Sequence, residues 1–231
     1  MIQNVAEDVR RLMSADKSGH GFEHIERVWR LTQQLAEKEN ADCEVAELAA
    51  LLHDCDDYKL VGVEKAEELS NAKQIMKDNR ISPEKQEKVL NIIRSMGYSK
   101  SLKGIRPTIK EGKIVSDADM LDAIGACGIV RCLQFALERC NQYNAPIFEK
   151  DVWPELNLSA EEYKKPNRRS DNFVNHFFEK LFKLKNMMIT ESGKAEAQKR
   201  HQIMVDFLDC YFAEQGLDDW QKFLHDYLQK Y

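Results

Sequence analysis

Apolar residues recur along this chain at helical spacing. Ile25, Val28, Leu31 and Leu35 fall at intervals of three and four, so they share one face at 3.6 residues per turn and predict a helix over 22–40. SerGlyHisGly at 18–21 separates it from a first helix over 1–15. A third, strongly apolar helix is predicted over 43–54, with Val45, Leu48, Ala49 and Leu52 on its inner face. Two amphipathic helices follow over 63–79 and 83–97, and SerProGlu at 82–84 is a good start signal for the second. Residues 98–112 read as a loop. One long apolar helix is predicted over 114–140, where Ala123, Gly125, Ala126 and Gly128 would let another backbone come close. Residues 141–172 are irregular, with Pro146, Pro154, Pro166 and the basic run Lys164, Lys165, Arg168, Arg169. Helices return over 173–188, 193–214 and 217–230, and no stretch sustains strand alternation. The pattern predicts an all-α bundle in one domain spanning 1–231. Its core lies over 15–140, its C-terminal helical part over 173–231, and 141–172 forms an excursion that could serve as a lid.

Composition narrows the partners. A length of 231 residues, 43% apolar and 32% charged, suits a globular protein with a sizeable core. A net charge of -5 argues against a nucleic-acid scaffold, though not against an anionic small molecule. The N-terminus lacks an apolar run followed by a cleavage site, and no membrane span is evident, so a cytoplasmic location is expected. The six cysteines include no CxxC pair and read as buried, reduced thiols rather than zinc ligands.

Four imidazole or carboxylate positions interrupt the apolar faces. His24 lies on the face of Val28, Leu31 and Leu35; taken alone, a hydrogen-bonded core histidine would explain it. His53 and Asp54 end the apolar helix. Neighbours on a regular helix point about 100° apart, so both reach one ion only where the helix stops, as the acids Asp56 and Asp57 suggest it does. A buried, unpaired carboxylate costs several kcal/mol, and a metal ion is one way to supply the partner. Asp119 and Asp122 sit at i and i+3 among Ile114, Val115, Leu121 and Ile124, too apolar a setting for a solvated acidic face. Two imidazoles and two carboxylates form a mixed N/O set suited to one divalent ion such as Mn²⁺, Fe²⁺, Ni²⁺ or Mg²⁺. Four protein ligands on an octahedral ion would leave two positions for water or a phosphate oxygen.

The order H…HD…D resembles the HD superfamily of metal-dependent phosphohydrolases. His20-Gly21-Phe22-Glu23-His24-Ile25-Glu26-Arg27 is similar to the first motif of its small stand-alone members, Glu47 to Asp54 to the second, and Asp117 to Ala126 to the last. His176 to Leu181, Thr190 to Lys194 and Arg200-His201 resemble their C-terminal part. The resemblance implies an all-α fold and metal ligands at His24, His53, Asp54 and Asp119. Asp117 competes for the last place; Asp119 is preferred because it precedes Asp122 by one turn. Asp57 matches a carboxylate that some members use to orient water or move a proton. Where the family often has His-Asp this chain has His20-Gly21, and the extra histidines of two-metal sites are absent, which favours one metal.

Phosphate needs cations. Arg27 lies one turn from His24, and His176, Lys180 and Lys183 form an i, i+4, i+7 stripe, unless that stripe is only a solvated face. Lys59 and the basic loop at 164–169 are further candidates. The implied activity is hydrolysis of a phosphate ester or anhydride, of pyrophosphohydrolase or nucleotidase type on a nucleotide. The alternative is a non-catalytic nucleotide- or metal-binding regulatory module. An iron oxygenase would need ligands this chain lacks. Oligomeric state is left open.

Overall fold

The computed structural model describes the chain except for residues 16–20, 58–60 and 164–167. Lys59, proposed for phosphate binding, lies outside the described residues, as do His20, Lys164 and Lys165. Helix α1 (Ile2–Leu12) ends in a 3-10 turn, and α2 (Phe22–Glu39) stops at Asn40, which turns left-handed at φ 51. Asp42 opens α3 (Cys43–Leu52) by accepting from the amides of Glu44 and Val45 at 3.1 and 3.3 Å. Because α1, α2, α6 (Pro83–Ser95) and α8 (Lys110–Asp122) surround it, α3 is apolar on nearly every side and buries Val45, Ala46, Leu48 and Ala49 to Leu52. It is the axis of the N-terminal half.

Three expected elements divide. Instead of one helix over 63–79 there are α4 (Val63–Glu68) and α5 (Ser70–Asp78), separated by Leu69 at φ 53. Buried Asp56 caps α5, accepting from the amides of Asn71 and Ala72 at 2.9 Å each. The supposed loop over 98–112 contains α7 (Tyr98–Ser101) and the start of α8. The long helix over 114–140 breaks after Asp122: α8 and α9 (Gly125–Tyr143) meet at 60°, with Gly125 at φ 78 making the corner.

The C-terminal half wraps the far side of that corner. A short α10 (Ala160–Tyr163) precedes α11, which is composite. Phe173–His176 is α-helical, Phe177–Leu181 winds as a π-turn, Phe182–Leu184 is α-helical again and Lys185–Met187 is 3-10. The long α12 (Glu191–Gln215) packs on α9 and α8, and α13 (Asp218–Lys230) closes the chain against α12. The excursion is anchored, which the lid reading did not anticipate. Arg168 donates to Ser170 at 2.9 Å and to buried Glu179 at 3.0 Å, and Arg139 donates to the Asp171 carbonyl at 2.6 Å. Trp153 stacks on Trp220 at 4.3 Å. All described helices belong to one all-α fold, with no strand among the described residues.

The cysteine expectation needs correcting. Cys55 and Cys132 are buried free thiols, but Cys43, Cys127 and Cys210 are exposed. Among the described residues no single helix is long and apolar enough to cross a membrane.

Candidate metal centre

The first turn of α2, the end of α3 and the last turns of α8 converge, and each brings polar side chains inward. His24, 3% exposed, points its Nε2 at the His53 Nε2, 3.3 Å away. The same His24 nitrogen lies 3.5 Å from Asp54 Oδ2 and 3.5 Å from Asp119 Oδ1. His53 Nε2 stands 3.4 Å from Asp54 Oδ2 and 3.8 Å from Asp119 Oδ1. His24, His53 and Asp119 offer ligand atoms that all lie within 4.8 Å of one another. Asp54 can turn inward beside His53 because α3 has already ended at Leu52.

This donor set fits a divalent cation. His53 Nδ1 lies 2.8 Å from the Ala50 carbonyl, which can only accept, so Nδ1 carries the proton and Nε2 presents a lone pair. A lone pair facing a second imidazole nitrogen and two carboxylates is unfavourable without positive charge between them. His24 shows the same demand. Burial depresses its pKa, but hydrogen bonds with Asp119, Asp122 and Asp54 prevail and hold it well above the ordinary 6.5. Burial likewise raises Asp119, yet the His24 hydrogen bond and the charges of His53 and His24 bring it below the usual carboxylate range. The pocket favours a cation, and a proton on His24 answers that demand in part.

Asp117 is placed elsewhere. It is fully buried and accepts from the Ile189 amide at 2.9 Å, the Thr190 amide at 2.7 Å and the Thr190 hydroxyl at 2.7 Å. It thereby tethers α8 to the start of α12, and only glycine fits at 193, where a Cβ would stand 2.3 Å from Asp117 Oδ2.

Asp122 and Arg131 are the pair that sequence reasoning left without a role. Asp122, 2% exposed, lies 2.7 Å from His24 Nδ1 and accepts from Arg131 Nη1 at 2.6 Å. Arg27 was expected to face the metal; instead it forks onto Asp122, with Nε at 2.7 Å and Nη2 at 3.0 Å. Burial pushes the Asp122 carboxyl up, but His24 and the two guanidinium groups outweigh it and hold the group far below its usual range. The signal was available: Asp122 follows Asp119 by one turn in an apolar helix.

In the expected stripe His176, Lys180 and Lys183 are each half-buried while every residue between them is buried, and a π-turn winds over Phe177–Leu181. Lys183 donates to the Leu156 carbonyl at 2.6 Å, inside the excursion. His176 lines a crevice with Cys132, Phe135, Arg139 and Phe173. Burial, with Lys180, Arg168 and Arg139 nearby, lowers its pKa to about 3, so it is a neutral imidazole. The Lys180 ammonium stands 4.9 Å from the centre of the Tyr98 ring. Asp57 is half-buried one turn beyond Asp54.

Known proteins resemble this chain over most of its length. The family model of the HD domain matches residues 21–124, which contain all four inward-facing residues. The uncharacterised protein YpgQ of Bacillus subtilis is 32% identical over 201 residues, covering 87% of this chain and 86% of its own length. A solved structure from Lactobacillus plantarum superposes with a TM-score of 0.76 at 32% identity, over 93% of this chain and 96% of that one. An HD-superfamily hydrolase from Bacillus thuringiensis gives 0.71 at 29% identity, over 93% and 96%. YpgQ in complex with ADP gives 0.66 at 29% identity, over 90% and 97%.

Proposed function

The chain belongs to the HD domain family, and from that footing we propose that it is a metal-dependent phosphohydrolase that cleaves a phosphate ester or anhydride of a nucleotide. The observation that carries the reading is the convergence of two imidazole Nε2 atoms, 3.3 Å apart, with Asp54 and Asp119. The ADP bound to the similar YpgQ supports a nucleotide as the substrate class.

His24, His53, Asp54 and Asp119 would hold one divalent ion. When bound, such an ion supplies Lewis acidity toward a phosphoryl oxygen and acidifies a water at neutral pH. The protein's own groups do the remainder. Asp57, one turn from Asp54, would orient the attacking water or accept its proton. Lys180 offers a positive charge to the outer phosphates, and neutral His176 a single hydrogen bond. Lys183 and Arg27 already donate to the Leu156 carbonyl and to Asp122, and each keeps further N–H donors for a phosphate.

The test is phosphate and pyrophosphate release from a nucleotide panel with Mn²⁺, Mg²⁺, Fe²⁺ or Ni²⁺ supplied in turn. Turnover that needs the metal and stops with chelator is expected. Protein that retains Mn²⁺ and binds nucleotides but cleaves none would instead be a regulatory module.

A further inference from the structure

We propose that Asp122 is a positioning residue that fixes the His24 ring in the tautomer protonated at Nδ1, so that Nε2 offers its lone pair to the cation. This rests on the metal-dependent reading above. The surroundings of Asp122 fix what it can do. Its carboxylate is 2% exposed and lies between two guanidinium groups, with Arg27 Nε at 2.7 Å, Arg27 Nη2 at 3.0 Å and Arg131 Nη1 at 2.6 Å. An ionised carboxylate only accepts hydrogen bonds, so the ring nitrogen facing it must donate.

That nitrogen is Nδ1, 2.7 Å from Asp122 Oδ2. One contact would suit the opposite tautomer: Arg131 Nη1 lies 3.3 Å from the same Nδ1. The Asp122 contact is shorter and charge-assisted, and Arg131 already donates to Asp122 at 2.6 Å, so the first tautomer wins. The other would aim a proton from Nε2 into contacts of 3.3 to 3.5 Å, all longer than 2.7 Å. Its proton would also occupy the lone pair a metal needs. Outer carboxylates of this kind orient and sharpen histidine ligands, and their loss typically weakens metal binding by roughly 10–100-fold.

Asp122→Asn is the sharp test. An amide has one acceptor oxygen, two arginines compete for it, and the amide nitrogen then faces His24 as a donor. Long-range proton–nitrogen NMR on histidine-labelled, metal-free protein in alkaline buffer reads the tautomer directly, and titration calorimetry with Mn²⁺ reads affinity. Wild type should carry the His24 proton on Nδ1. Asp122→Asn should move it to Nε2 and weaken Mn²⁺ binding by roughly 10–100-fold. Arg131→Gln loosens the clamp but leaves the acceptor, so it should keep the proton on Nδ1. Wild-type His24 protonated at Nε2 overturns the proposal without any variant, as does Asp122→Asn binding Mn²⁺ like wild type. Wild type with the expected tautomer but no Mn²⁺ uptake overturns the metal-dependent reading, and this role with it.

Discussion

Asp117 and Asp119 stand two positions apart on α8 and should respond oppositely to the same change. Asp119→Asn removes an inward-facing oxygen while leaving the packing of α8 intact. It should abolish turnover and metal content by elemental analysis, with little change in urea stability. Asp117→Asn breaks into the bonds to Ile189 and Thr190, so it should cost about 1–3 kcal/mol of stability while the metal stays. A metal-free Asp117 variant of normal stability would reverse the assignment. His24 gives a pH signature. A folded pKa raised above 6.5 stabilises the protein fully below 6.5, and that contribution is lost as pH rises through the raised value. The Tm of metal-free protein should therefore fall on the alkaline side of neutrality, and Mn²⁺, which takes the deprotonated ring, should offset the fall. A metal-free Tm that climbs there would contradict it. The inward-facing set was legible in sequence because polar residues on apolar faces are conspicuous. The fate of Arg27 was not, since helical spacing gives a direction but not which of two charges a guanidinium meets.

Among the elements, the corner between α8 and α9 matters most to the site, because Asp119 and Asp122 lie just before it and Arg131 just after. Two arginines close the end of α8: Arg200 donates to the Leu121 carbonyl at 2.8 Å, and Arg131 lies 3.4 Å from that of Asp122. Gly125→Ala should cost about 1–2 kcal/mol from its left-handed backbone alone, and its Cβ would in addition stand 3.0 Å from the Arg200 side chain. Measured by thermal unfolding and Mn²⁺ titration, stability and affinity should decline together; an unchanged affinity would mean the corner does not set the carboxylates. Sequence periodicity read this corner as continuous helix because apolar residues lie on both sides of it. The small residues at 123–128 were the visible clue, taken for close packing when one of them makes a turn. The π-turn was illegible, since nothing in Phe177–Leu181 marks one extra residue per turn.

Across the molecule, the irregular segment is held by charge. Glu179 is 1% exposed, and burial pushes its pKa up despite Arg168. Arg168→Ala would leave that carboxylate without its guanidinium, costing about 3–5 kcal/mol in urea unfolding. A loss below 1 kcal/mol would show that water replaces the arginine. The helical class and the order of helices followed from periodicity, whereas this long-range pairing of a proline-rich stretch with α11 had no local signature.

The tether from Asp117 to Ile189 and Thr190 also sets where the working unit ends. Residues 21–124 carry every inward-facing ligand, yet cutting the chain after α9 would strip a buried carboxylate of all three of its donors and take Arg200 from the Leu121 carbonyl. The recognisable motif region is therefore a part that cannot be transplanted. Expressed alone as residues 1–143, it should be insoluble or molten, and co-expression with 144–231 as a separate chain should restore a soluble, metal-binding pair.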